Sequence, residues 1–121
     1  MTDYSTLFDT APDAARLAQA FDGLEADITF IDEADVVIYF SPFRIFERPS
    51  SCLNKSVYDC HPEEVYEAVE ALLDGFRAGE KDTLTFESVK KDDRRVRVCY
   101  HAIRDRSGRY LGCMEVATYR D

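Results

Sequence analysis

Hydrophobic residues recur along this chain first at helical spacing, then in two short runs, then at helical spacing again, and finally in alternation. Ala14, Leu17, Ala18 and Phe21 stand at i, i+3, i+4 and i+7 behind Ala11-Pro12-Asp13, where proline suits a first helical turn, and Asp22-Gly23 ends the run. So narrow a stripe predicts a helix that lies on the domain's own sheet or on a second copy. Ile28-Thr29-Phe30-Ile31 and Val36-Val37-Ile38-Tyr39-Phe40, separated by Asp32-Glu33-Ala34-Asp35, predict a β-hairpin. Residues 43–58 keep no clean period yet hold Phe43, Ile45, Phe46, Leu53, Val57 and Tyr58, as short helical turns folded over an interior would. From Pro62 the spacing of Val65, Val69, Leu72, Leu73 and Phe76 predicts a long helix, with Glu63 and Glu64 at its positive end and Gly79 as its stop.

Period-two alternation over 83–90, 95–104 and 109–119, broken by turns at 91–94 and 105–108, predicts three antiparallel strands. The order is helix, two strands, helical crossover, long helix, three strands. An α+β fold accommodates it: a five-stranded antiparallel sheet with helices on one face, residues 1–25 forming an N-terminal helical extension and 26–121 a single domain. On the middle strand Val96, Val98, Tyr100 and Ala102 are the more apolar set and are expected to meet the helices. Cys99, His101 and Ile103 then face outward, and that face also needs a cover.

Charge changes the picture by exclusion. The chain carries a formal net charge of -9. Residues 1–35 contribute -8 and residues 61–82 contribute -5, whereas residues 83–121 sum to +3. Such acidity opposes phosphate-backbone and anionic-membrane binding, so neither nucleic acid nor a membrane is an expected partner. The basic cluster Lys90, Lys91, Arg94, Arg95 and Arg97 is read as a solvated hairpin. No long apolar run and no secretory signal stands out, so the expected location is cytoplasmic and the four cysteines are expected as free thiols.

Particular residues sharpen the element order. Asp27-Ile28-Thr29-Phe30-Ile31-Asp32-Glu33, Tyr39-Phe40-Ser41 and, most specifically, the hairpin Ala102-Ile103-Arg104-Asp105-Arg106-Ser107-Gly108-Arg109-Tyr110-Leu111-Gly112 resemble the PAS sensor domain over about residues 26–119. The step Asp59-Cys60-His61-Pro62 and the helix end at 72–79 look most like the PAS module that often follows a hemerythrin-like region in larger bacterial proteins. The resemblance implies a pocket between sheet and crossover, holding haem, flavin, another small ligand or nothing, and dimerisation through a helix before the first strand. A signal would then leave through that helix to a separate output protein.

On that footing the expected ligand cavity is lined by Phe40, Phe46, Val65, Val69, Leu73, Val98 and Tyr100, with His61 a candidate haem ligand. The bland reading of His61 is a helix-entry residue whose ring satisfies local backbone groups. The cofactor is otherwise unassigned. A homodimer is expected through Ala14, Leu17, Ala18, Phe21 and the outer sheet face. Placing Arg104 opposite Arg109 sets Met114 against Cys99, which leaves Cys99 and His101 short of the four ligands of a zinc site, so no metal is expected. Nucleophile motifs are absent and no catalytic residue is assigned. Two further classes compete: a filled-core interaction and dimerisation domain, and a small enzyme of the steroid-isomerase type. The latter requires an acid buried among apolar residues, for which Glu115 is the one candidate.

Overall fold

The computed structural model describes residues 14–120. Helix α1 (Ala14–Asp22) precedes strands β1 (Asp27–Asp32) and β2 (Val37–Phe40). An irregular crossover with 3-10 turns at Ser50–Cys52, Val57–Cys60 and Glu63–Val65 leads into α2 (Tyr66–Arg77). Strands β3 (Thr83–Lys91), β4 (Arg94–Arg104) and β5 (Tyr110–Tyr119) complete one antiparallel sheet of order β2-β1-β5-β4-β3. The α+β arrangement is the one the periodicity predicts.

Each hairpin is closed by local chemistry. Asp32 Oδ1 accepts from the Ala34 and Val36 N–H groups, and Asp35 takes the positive φ of that turn. Asp92 and Asp93 both sit at positive φ, as a two-residue type I′ turn demands. Asp105 Oδ1 accepts from the Ser107 and Arg109 N–H groups and from the Ser107 hydroxyl. Helix α2 stops in a Schellman motif: the Glu80 N–H reaches the Gly75 carbonyl and the Gly79 N–H reaches that of Phe76, with Gly79 at φ 76°.

One register differs from expectation. Arg104 pairs with Tyr110 and Ile103 with Gly112, so a bulge at Leu111 carries Cys99 to Val116 and His101 to Met114. Gly112 is the cause: its φ is 143°, and a Cβ there would collide with the Ile31 carbonyl oxygen of β1. The slip is even, so the faces stay as predicted and Cys113 falls inside, opposite Ala102.

The interior forms two blocks. Ile31, Val37, Val57, Leu73, Phe76 and Cys113 pack under the end of α2, and Ile45, Val96, Val98 and Ala117 under the crossover, with Tyr100 touching both. Arg77 ties α2 to the first turn through Asp35 at 2.6 Å, and Arg104 donates to the Phe76 carbonyl at 2.6 Å. On the opposite face Phe21 stacks edge-on against Phe30 at 5.5 Å and Tyr39 at 6.5 Å, and the Tyr39 hydroxyl donates to Asp22 at 2.6 Å. The stripe proposed as a dimer contact is thereby split: Phe21 packs on its own sheet, whereas Leu17 remains 38% exposed. Residues 11–13 and the Ala14 side chain lie outside the described residues.

The crossover has no ladder to satisfy its backbone, and Asp27 substitutes for one. Its fully buried carboxylate accepts from the Ile45 and Phe46 N–H groups at 2.9 and 2.8 Å and lies 2.7 Å from Arg44 Nη1. Removing one partner of such a pair strands the other charge. Asp27→Asn is expected to lose about 3 kcal/mol in urea unfolding, with part regained in Asp27→Asn/Arg44→Met; a loss below about 1 kcal/mol, the level of an exposed pair, would disprove the anchoring role.

Candidate functional site

Between the two core blocks lies a cavity of about 350 Å³. Val65, Ala68, Val69 and Leu72 wall it from the helical side, and Leu84, Phe86 and Val89 from β3. Val98 and Tyr100 of β4, Glu115 of β5, and Phe46, Arg48 and His61 of the crossover complete it. A smaller void of about 30 Å³ lies deeper, reaching Leu73 and Cys113 and sharing His61, Val69, Leu72, Tyr100 and Glu115 with the larger one. The polar groups therefore gather at the junction of the two spaces.

Of the residues expected around a pocket, the structure brings together Phe46, His61, Val65, Val69, Val98 and Tyr100, and puts Leu73 on the deeper void. Phe40 lines neither. The sheet order places β2 at the edge opposite β3, where Phe40 pairs with Thr29 and its ring lies 4.8 Å from the Arg44 guanidinium carbon. Arg48, Glu115 and the β3 residues were not expected there. The even-numbered alternation on β3 that puts Leu84 and Phe86 on one face could have signalled them.

His61 owes its position to Pro62, which favours extended backbone in the residue before it; its φ and ψ are -131° and 151°. The ring Nδ1 lies 2.8 Å from the Val57 carbonyl oxygen, so Nδ1 carries the proton and Nε2 keeps a lone pair. Burial, ahead of the nearby Arg48 charge, holds the imidazole below its ordinary value and hence neutral. Arg48 Nη1 donates to the Cys60 carbonyl at 2.9 Å.

Glu115 is directed inward by the β5 alternation, cross-strand from Tyr100 and Thr29. It is 6% exposed and takes a hydrogen bond from the Tyr100 hydroxyl. Burial pushes its carboxyl up, assisted by the Asp27 charge and opposed by Arg48 and Arg44. Burial likewise raises Tyr100, keeping its proton in place. The corner thus offers an acceptor nitrogen, a carboxyl that burial holds toward its protonated form, and a guanidinium, all set in apolar walls.

A family model described as PAS domain matches residues 17–118. The chain belongs to the PAS domain family. Similar solved structures include the C-terminal domain of a protein from Streptococcus mutans, at 24% identity over 89% of this chain and 85% of that one, with a TM-score of 0.82. The PAS domain of Bordetella pertussis BvgS is 16% identical over 88% and 85%, with a TM-score of 0.68. A sensory box sensor histidine kinase from Vibrio cholerae is 12% identical over 88% and 90%, with a TM-score of 0.60. No curated protein matches in sequence. PAS domains are typically sensory or signalling modules, and no helix among the described residues of this one is long and apolar enough to cross a membrane.

Haem does not fit this PAS cavity. A tetrapyrrole needs far more room than a volume at the small end of the drug-sized range, and the larger cavity adds no second histidine, cysteine or methionine to His61.

A raised carboxyl makes stability fall as pH climbs above the ordinary glutamate value of 4.5, because the unfolded chain ionises first. Glu115→Gln, permanently neutral, is expected to match the parent at pH 4 and exceed it increasingly toward pH 7.5 in urea titrations. His61 contributes equally to both proteins and cancels in the difference. A gap that closes with rising pH would contradict a raised Glu115.

Proposed function

We propose that this PAS domain is a sensory module that binds a small, uncharged, mainly apolar molecule in its larger cavity. The observation that carries the reading is the composition of the wall: about 350 Å³ of space with apolar sides, and His61, Tyr100 and Glu115 concentrated where it meets the deeper void. His61 Nε2 accepts a hydrogen bond, the Glu115 carboxyl, which burial pushes toward its protonated form, both donates and accepts in that form, and Arg48 donates. A ligand with a hydroxyl or amide at one end and an apolar body at the other uses all three. An ionised ligand would have to shed its hydration in an apolar site.

The filled-core interaction domain is the weaker reading, because this cavity separates the two core blocks instead of being packed shut. Output through α1 follows from the connection between the faces of the sheet. Glu115 pairs with Thr29 on β1, the next residue is Phe30, and Phe30 carries Phe21 of α1 on the outer side. A ligand that moves β5 against β1 therefore acts on the seat of the helix.

Native mass spectrometry of freshly purified protein, followed by a thermal-shift screen of small neutral compounds, tests the proposal. A true ligand at about 100 times its Kd stabilises the fold by about 2.7 kcal/mol. Val69→Trp and the rim substitution Ala68→Phe are each expected to weaken binding by at least about tenfold, since each fills space the ligand needs. Absence of both a co-purifying molecule and a stabilising compound, or unchanged binding in the two filled variants, would refute it.

A further inference from the structure

The outer face of the sheet holds a second concentration of chemistry that the cavity does not use. Arg97, Cys99 and His101 alternate along β4 and meet Thr118 and Val116 of β5 around a surface depression of about 280 Å³. Cys99 Sγ lies 3.2 Å from His101 Nε2 and 3.2 Å from the hydroxyl of Thr85, its register partner on β3. A thiol with a base within hydrogen-bond reach is the core of an activated nucleophile, and the Thr85 hydroxyl further fixes the sulfur. It differs from a metal site, since no cluster of three His, Cys, Asp or Glu side chains exists among the described residues.

We infer that Cys99 and His101 form a thiol–imidazole pair that reacts with low-molecular-weight disulfides, making Cys99 a reversible S-thiolation site on the outer sheet face. Cys99 Sγ attacks one sulfur of the disulfide while its proton passes to His101 Nε2. The new S–S bond forms as the old one breaks, and the displaced thiolate departs, recovering a proton from the imidazolium or from water. Cys99 is oxidised to the mixed disulfide and the leaving sulfur is reduced, so no further oxidant enters.

Two observations select this chemistry. The depression beside Sγ has room for an organic adduct, and Arg97 on its wall suits a carboxylate carried by the incoming thiol. Arg97 Nε also lies 3.2 Å from Glu87, which limits but does not cancel that attraction because the guanidinium has further donors. The other cysteines are poor competitors. Cys113 is fully buried, and burial pushes its thiol up to about 12. Cys60 is likewise pushed up to about 12, first by burial and then by Cys52, and it donates to the Cys52 and Ser56 carbonyls. Cys52 is 6% exposed.

Oxidised glutathione incubated with the folded protein at neutral pH, read by intact mass and peptide mapping, provides the test. One adduct is expected, on Cys99 and removable by a reducing agent. His101→Gln is expected to slow its formation by at least about tenfold while leaving the thermal midpoint unchanged. The lost rate should return as pH is raised, since hydroxide then takes the proton in place of the imidazole. Thiolation that begins on Cys52, Cys60 or Cys113, or an unchanged rate in His101→Gln, would overturn the inference.

Discussion

A single buried carboxylate holds the irregular half of this domain in place. Backbone amides removed from water must find partners, and residues 43–48 belong to no helix or strand that could supply them. Asp27 binds two of those amides and the Arg44 guanidinium, and Arg44 returns hydrogen bonds to the Ile28 and Phe46 carbonyls. Ser41 continues the line, accepting from the Ile28 N–H and sharing its proton between the Ala26 and Phe43 carbonyls. Phe46 and Arg48, which wall the cavity, stand where they do because the chain just before them is pinned to β1. Burial lowers the Arg44 value, yet Asp27 opposes that shift, so the charge that fastens the crossover depends on its partner.

That dependence explains what could be read from the residues and what could not. Elements followed from periodicity: Val69, Leu72, Leu73 and Phe76 lie at a period only a helix satisfies, although the expected start at Pro62 is a 3-10 turn holding Glu63, Glu64 and Val65 and the α-helix begins at Tyr66, and the inward set Val96, Val98, Tyr100 and Ala102 is an alternation only a strand satisfies. Sheet order is a long-range property and left no local trace at Phe40, whose apolar side chain suits either edge. A charged residue at the start of a strand carries no sign of its burial, so Asp27 enters only as part of the opening-strand resemblance, although it is the most enclosed acid among the described residues. The Leu111 bulge was written in Gly112, but a glycine marks a bulge only once the neighbouring strand is known.

Glu115 illustrates the same limit from the chemical side. An acid within an alternating strand identifies its face, and alternation alone puts it inward with Cys113 and Ala117. Whether an inward acid is a fastening or a site depends on what surrounds it. Asp27 meets two amides and a guanidinium and is held as part of an ion pair, whereas Glu115 meets a phenol and open space. The first is structural because one of its oxygens holds two crossover amides and the other faces the Arg44 guanidinium, and the second faces the cavity beside Tyr100.

The two faces of β4 and β5 then carry the two proposed sites apart from one another. Tyr100 and Glu115 point into the cavity, and their immediate neighbours Cys99 and Val116 point to the outer depression, so successive residues of one strand pair serve both. The link onward to α1 runs through Phe30, Tyr39 and Phe21 and is closed by the Tyr39 hydroxyl on Asp22. Burial and the Asp22 charge push that hydroxyl up to about 12, so it remains a donor at any pH where the domain works. His61 and Glu115 have no such immunity, one held down and the other held up by burial. The domain therefore places His61 and Glu115 at the cavity and keeps a fixed polar contact at the helix, which is the distribution a module needs if what changes inside is to be transmitted and not also generated along the way.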